Sequence, residues 1–242
     1  IDVEQTQKML ERALEFVQNT TATGGVVLFI GTKNQLTSTV ERYAQEASMP
    51  YVNNRWLGGT FTNFSEIQKL IKQFLDLKDK RDKGELKKYT KLEQLQFDRK
   101  IEELDEKIGG ISSLKKLPDP MFVFDVRHEK TAILEAKKMG IKVVGICDTN
   151  VNPKGIDYII PANDDSVASS QLMAKLIAEA AKYGKAHPKH KDAPAAKVKD
   201  TKKEAEVAED LKVKEESKET VADLDVEINE KLAKEREEEK KS

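Results

Sequence analysis

The residues with the greatest potential for chemistry lie together in one stretch, 50–64, which reads PYVNNRWLGGTFTNF. It holds the only tryptophan of the chain, Trp56, next to a single cation, Arg55, and a pair of glycines. Its other polar side chains are mostly amides and hydroxyls, which exchange hydrogen bonds but rarely act as acids or bases. Such groups suit phosphate, ribose and base edges better than bond-breaking chemistry. The alternative interpretation is a tight turn around a core tryptophan.

A second candidate is the segment 31–35, GTKNQ, which follows an apolar run and precedes a helical one. It has one glycine where a dinucleotide-binding loop needs three, and it lacks the P-loop pattern. The sequence therefore disfavours a site for a free nucleotide. Lys33, at the start of the predicted helix, remains suited to an RNA phosphate.

Other groups that often carry catalysis lack identifiable partners. His187 and His190 lie near or in the C-terminal region and form a poor metal site, and His128 has no orienting residue that the sequence identifies. Asp125 and Asp148 end predicted strands. A carboxylate in such a position either binds Mg²⁺ or caps a loop or helix by accepting from backbone N–H groups. No pattern for nucleophilic catalysis is present.

Short apolar runs alternate with amphipathic segments along most of the chain. This alternation predicts a parallel α/β sheet with right-handed crossovers. Strands are predicted at 26–30, 51–52, 121–126, 143–147 and 158–160, and helices at 3–18, 35–48, 129–139 and 166–183. A cluster of helix-breaking residues is predicted to follow the first helix, at 20–25.

The segment 64–117 interrupts the alternation. Apolar residues step by three and four from Phe64 to Phe74 and again from Phe97 to Ile111. This spacing predicts two helices that form an antiparallel coiled-coil hairpin. Residues 69–100 carry 11 basic and 6 acidic side chains, which indicates either a solvated face or contact with RNA or a partner.

Composition limits the possible partners and compartment. The chain of 242 residues has a net charge of −1, but residues 191–242 hold 13 basic and 17 acidic residues. We predict that 185–242, which lacks aromatic residues, is a disordered tail, and that any RNA contact is a local patch. A single cysteine, no long apolar run and no signal peptide favour the cytoplasm. The sequence opens on Ile1, so we expect the translated chain to begin earlier.

Three segments resemble the bacterial ribosomal protein S2 family of the small subunit. Residues 55–64, RWLGGTFTNF, are similar to its signature RWLGG-x-LTNF, with Phe61 at the usual leucine. Residues 118–141 and 143–165 look like its next two characteristic segments, and the similarity covers about 1–183. The resemblance implies a flavodoxin-like, five-stranded parallel sheet with helices on both faces and the hairpin inserted after the second strand.

The resemblance also implies a function, which is structural and not catalytic. We expect the protein to bind small-subunit rRNA and neighbouring ribosomal proteins, including the large mRNA-binding protein, in the cytoplasm. No cofactor, membrane or small-molecule substrate is expected. The predicted division is an α/β domain (1–63 and 118–184), the hairpin (64–117) and the tail (185–242). The alternative hypothesis is a sugar-phosphate or nucleotide-binding enzyme on the same fold.

The residues predicted to contact RNA are cations for phosphate, amides and hydroxyls for phosphate and ribose, and one aromatic ring. Trp56 either stacks on an exposed base or packs in the core to fix its loop. The full predicted set is Lys33, Asn53, Asn54, Arg55, Trp56, Thr60, Asn63, Arg127, His128, Lys130 and Asn150.

Overall fold

The structure, a computed structural model, describes residues 1–188. Strands and helices alternate except where two long helices follow one another. The strands are β1 (Leu28–Ile30), β2 (Tyr51–Val52), β3 (Pro120–Val123), β4 (Lys142–Cys147) and β5 (Tyr158–Pro161). The helices are α1 (Val3–Ala22), α2 (Thr37–Glu46), α3 (Phe64–Asp82), α4 (Lys91–Ile108), α5 (Lys130–Met139) and α6 (Val167–Ala186).

The five strands form one sheet in the order β2-β1-β3-β4-β5, and every neighbouring pair is parallel. This is the flavodoxin-like order, in which the direction of strand addition reverses between β1 and β3. Phe29 of β1 pairs with Phe122 of β3 at that point. The predicted five-stranded parallel sheet is confirmed.

Helices cover both faces of the sheet, because side chains of a strand point alternately to opposite sides. Leu28 and Ile30 face a hydrophobic cluster that includes residues of α3, α4 and α5. Phe29 and Phe122 face a second cluster, formed with α1, α2 and α6. The sheet is therefore the central layer of a three-layer structure, as predicted.

Several element boundaries differ from the prediction; β1 begins at Leu28 and not at residue 26, and α2 covers Thr37–Glu46 and not 35–48. Two of the differences have a local chemical reason. The first helix continues to Ala22, because the hydroxyls of Thr20 and Thr21 donate to the carbonyls of Phe16 and Val17 instead of breaking the helix. The third strand ends at Val123 and not at residue 126. Beyond it, the backbone N–H groups of Arg127 and His128 donate to the side chain of Asp125 and not to a neighbouring strand.

The two consecutive helices, α3 and α4, contact each other. Buried side chains of α3 and α4, such as Phe74 and Leu104, belong to the same hydrophobic cluster as Ile30 of the sheet. The hairpin is therefore continuous with the sheet's core at its base. A coiled-coil seam and the division of 64–117 from the α/β domain stay predictions.

The predicted tail, 185–242, lies outside the described residues except for its first four. Lys185 and Ala186 belong to α6, so the helix extends into the segment predicted to be tail. No helix within residues 1–188 is long and apolar enough to span a membrane.

Candidate nucleic-acid interface

All the predicted site residues lie at the carboxyl edge of the sheet. Lys33 follows β1, residues 53–63 follow β2, Arg127 to Lys130 follow β3, and Asn150 follows β4. Parallel strands end at the same edge, which is where open α/β sheets bind their ligands. The structure distributes these residues over three regions: a loop, an ion cluster and a groove.

The first region, the Trp56 loop (residues 53–63), folds around a carboxylate that the sequence analysis missed. Glu135 of α5 is 7% exposed, and its Oε1 accepts from Trp56 Nε1 at 3.2 Å and Gly59 N at 2.8 Å. Its Oε2 accepts from Phe61 N at 3.0 Å and Thr62 N at 3.3 Å. The loop thus satisfies a buried anion with four N–H donors and no cation.

This arrangement controls the charge of Glu135 and the backbone of the loop. Burial alone raises the pKa of a carboxyl group, but hydrogen bonds from Gly59, Phe61 and Trp56 outweigh it, so the pKa of Glu135 is lowered. Gly59 has φ of +92°, a conformation that favours glycine, and this turn directs its N–H to Glu135. Gly59 therefore serves an anion within the protein.

Trp56 lies in the core, which is the packing alternative of the sequence analysis. The ring is 9% exposed and makes an edge-to-face contact with Phe61 at a centroid distance of 4.8 Å. Thr60 is also buried, and its hydroxyl donates to the carbonyl of Leu57 at 2.6 Å. Stacking of Trp56 on a base stays a prediction, and the burial of the ring disfavours it.

One feature of the sequence points to Glu135. Ala132 and Ala136 mark the buried face of α5, and Glu135 lies on that same face. A carboxylate at an apolar-face position of a helix requires buried donors. The sequence shows that such donors are needed, but not that the Trp56 loop provides them.

The remaining polar residues of the loop have different surroundings. The amide of Asn53 donates to Glu41 at 3.5 Å, and that of Asn54 donates to Glu106. Both asparagines line a cleft of about 640 Å³ with these carboxylates and Asp105. We call it the acidic cleft. Its charge opposes the approach of a phosphate.

Two other loop residues remain at the surface. Asn63 is exposed and lies at the N-terminus of α3, where its side-chain oxygen accepts from the Ser65 hydroxyl at 3.3 Å. Arg55 is exposed, and its side chain makes no hydrogen bond or ion pair with any residue in 1–188. Arg55 is therefore the one cation of the loop that is available to a phosphate.

The second region is an ion cluster around Lys33. Its ammonium lies 2.6 Å from Asp125, 2.9 Å from Asp165 and 3.7 Å from Asp164. Burial disfavours the charge of Lys33, but the hydrogen bonds and charges of these carboxylates raise its pKa well above the ordinary value. Lys33 is thus fixed as a cation whose nearest anions belong to the protein.

The pKa values of two carboxylates in the cluster, Asp125 and Asp164, are shifted in opposite directions. Burial raises the pKa of Asp125, but Lys33 and the N–H of His128 outweigh it, so that pKa is lowered. Burial and the charge of Asp125 raise the pKa of Asp164. Asp125 also accepts from Arg127 N at 2.7 Å, which is the cap role proposed for it. Within residues 1–188, no group of three or more acidic, histidine or cysteine side chains could hold a metal ion.

His128 connects this cluster to the loop after β1. Its Nδ1 lies 2.8 Å from the hydroxyl of Thr32, which donates to the buried Glu129 at 2.5 Å. The side chain of His128 is half-exposed. This placement holds the loops after β1 and β3 together and leaves one edge of the ring open.

The third region is a groove of about 410 Å³ between α5 and the loop that joins β4 to β5. We call it the basic groove. Arg127, Lys130 and Asn150 line it, and within residues 1–188 their side chains make no hydrogen bond or ion pair. Lys137 and Lys154 also line it, and no acidic residue of the described chain does. The groove has two free cations, Arg127 and Lys130, at its end near the carboxyl edge of the sheet.

The far end of the basic groove is closed by a side chain lying across a glycine. Lys137 Nζ donates to the carbonyl of Lys154 at 3.2 Å, and its end occupies the space that a Cβ on Gly155 would need. Gly155 has φ of +101°. Lys137 therefore holds the β4–β5 loop against α5.

Comparison with known proteins agrees with the fold and the motifs. A sequence model of the family described as Ribosomal protein S2 matches residues 1–184. The small ribosomal subunit protein uS2 of Hahella chejuensis (strain KCTC 2396) is 43% identical over 184 residues, which cover 76% of this chain and 73% of that protein. Ribosomal proteins of this family are structural, so the enzyme hypothesis is not supported. The chain belongs to the ribosomal protein S2 family, a family of structural ribosomal proteins and not of enzymes.

Proposed function

We propose that this chain is a structural component of the small ribosomal subunit that binds small-subunit rRNA along the carboxyl edge of its sheet. One observation carries the proposal. Arg127, Lys130 and Arg55 lie exposed at that edge, and their charges are not used by any residue within 1–188. Free cations on rigid elements are the groups that neutralise RNA phosphates and fix a protein's register.

The surroundings of the other predicted residues give them mainly supporting roles. Lys33 is held by three carboxylates, and Asn53 and Asn54 face the acidic cleft. Trp56 and Thr60 are buried. These five residues shape the edge from which the free cations project. Asn63, His128 and Asn150 retain exposed polar atoms and complete the proposed contact set.

Protein neighbours, including the large mRNA-binding protein of the subunit, belong to the proposal as well. The two long helices expose apolar side chains: Leu75 on α3, and Leu92 and Leu95 on α4, are about half-exposed or more. RNA phosphate gains nothing from such surface, whereas a protein partner buries it favourably. We therefore assign the outer part of the helical hairpin to protein contact.

The proposal is tested by salt-dependent binding of the full chain to small-subunit rRNA. The double variant Arg127→Ala/Lys130→Ala removes two phosphate contacts. The negative slope of log K against log salt should therefore become less steep by about two. The control Lys138→Ala/Lys175→Ala removes the same charge from exposed positions outside the groove. If both double variants and the wild type share one slope, the proposed edge does not bind RNA.

A further inference from the structure

The basic groove has a second property that phosphate binding does not use, which is an apolar floor. Val126, Ile133 and Ile156 are at most 9% exposed and form its base. Leu134 stands at its wall and is 59% exposed, although it lies on a helix whose neighbouring residues are packed. A site for phosphate alone needs cations and no floor of aliphatic side chains.

We propose that the basic groove binds one unstacked ribonucleotide, with the base on the aliphatic floor and the flanking phosphates on Arg127 and Lys130. This inference rests on the proposed function and makes it more specific. It assigns the contact to a bulge, loop or strand end of RNA, because bases inside an A-form helix are stacked and cannot enter a side pocket.

The size and charge of the groove fit this occupant. A volume of about 410 Å³ lies near the lower end of the range for small-ligand pockets, roughly 300–1,000 Å³. It accommodates one nucleotide and excludes a stacked duplex end. The charged residues that line the groove are all basic among the described residues, whereas the neighbouring cavity contains Asp125, Asp164 and Asp165. A polyanion is therefore directed to the groove and away from that cavity.

The lining also provides the three kinds of contact that a base needs. The aliphatic floor supports one face of the base and takes the place of aromatic rings, which are absent among the described lining residues. Asn150 carries both a donor and an acceptor for a base edge. Lys137 is fixed on the carbonyl of Lys154 and closes the end of the groove. Together they enclose a base whose ribose and phosphates remain at the rim.

The experiment compares two RNAs of equal charge. The full chain is titrated with a labelled single-stranded heptaadenylate and with the same ribose-phosphate chain lacking its bases, by fluorescence anisotropy at low salt. The wild type should bind the base-bearing RNA about tenfold more tightly, as stacking of one base on side chains predicts. Because it replaces an apolar wall of the site with a polar side chain, Leu134→Gln should lower this ratio. Leu172→Gln, which alters a comparably exposed leucine on α6, should keep it.

The outcomes separate this inference from the proposed function. If the wild type binds small-subunit rRNA but binds both heptamers equally or not at all, the groove does not hold a base, and the proposed function stands. An unchanged ratio in Leu134→Gln overturns the inference as well. A photo-cross-linking residue introduced at position 134 reports on assembled subunits: cross-links to RNA support the inference, and cross-links to a neighbouring protein overturn it.

Discussion

The Trp56 loop and the basic groove lie at the same edge of the sheet, but they use their polar groups in opposite ways. In the loop, four N–H donors converge on Glu135 from within the protein. In the groove, the side chains of Arg127, Lys130 and Asn150 make no hydrogen bond or ion pair with residues 1–188. The first region is internally satisfied, and the second has free charge and free hydrogen-bonding capacity.

The difference shows that a conspicuous sequence motif need not be the binding surface. The motif RWLGGTFTNF draws attention because it holds the only tryptophan of the chain beside a glycine pair. Four of its N–H donors bind a buried carboxylate, so its main effect is on folding. The residues with unused chemistry are ordinary cations on α5 and in loops. Substitutions in the two regions should therefore have different effects on stability and on RNA binding.

Glu135→Ala should have the largest effect, because it leaves several buried N–H donors without an acceptor. Each unsatisfied buried group costs about 1–3 kcal/mol, so the free energy of unfolding should fall by about 3–5 kcal/mol. The single tryptophan, Trp56, reports urea unfolding of this region by fluorescence. Glu179→Ala, at an exposed position of α6, is the control and should change stability little. A similar small change for Glu135→Ala would contradict the internal role of the loop.

The pH dependence of Glu135→Gln sharpens the same point. The folded-state pKa of Glu135 is lowered, so its charge stabilises the protein above the unfolded-state pKa and this contribution is lost as pH falls through the folded-state pKa. The stability difference between wild type and Glu135→Gln should therefore be constant near neutral pH and shrink in acid. Urea titrations at several pH values measure it. A difference independent of pH would show that the carboxylate charge is not involved.

Gly155→Ala should alter the basic groove and leave the Trp56 loop unchanged. A Cβ at this position meets the end of Lys137, and φ of +101° is strained for alanine, so we expect a loss of about 2 kcal/mol. Lys137 is displaced, and RNA binding should weaken with it. The same substitution in a Lys137→Ala background should cost less, because the clash is absent. Equal costs in both backgrounds would show that Lys137 does not close the groove.

Gly59→Ala should affect the loop by about 1 kcal/mol. Space is available, since the new Cβ meets only the Cβ of Asn63 at 3.6 Å, so the cost comes from φ of +92°. Gly58→Ala is a matched control at the preceding residue, which has neither a positive φ nor a close neighbour. Chemical unfolding measures the free energy of unfolding of both variants. Equal values would show that the turn does not require glycine at position 59.

Arg55→Ala should have the smallest effect on stability, within about 0.5 kcal/mol, because the side chain has no partner in residues 1–188. It is the exception in the comparison: a free cation on an internally satisfied loop. The salt slope of rRNA binding should fall by about one. A slope equal to that of the wild type would show that Arg55 does not contact RNA and that the contacts lie at the basic groove.

The sequence predicted the fold well because hydrophobic periodicity is a local property. Five apolar runs separated by amphipathic segments predicted the parallel sheet, and the helix predicted at 129–139 is α5, which ends at Met139 before Gly140 with φ of +71°. The first helix was predicted to end too early, because the hydroxyls of Thr20 and Thr21 bond within the helix. Such competition between side-chain and backbone partners is not visible in periodicity.

Local patterns were enough to identify the family, the order of strands and helices along the chain, and the position of the candidate residues after strands. Which of these residues have free side chains follows from contacts between distant parts of the chain. Glu135 and Gly59 are separated by 76 positions, and Lys33 and Asp165 by 132, yet each pair is joined by a hydrogen bond. Contacts over such separations arise when strands align and bring distant loops to one edge. They consume the polar groups of the Trp56 loop and leave those of the basic groove for another molecule.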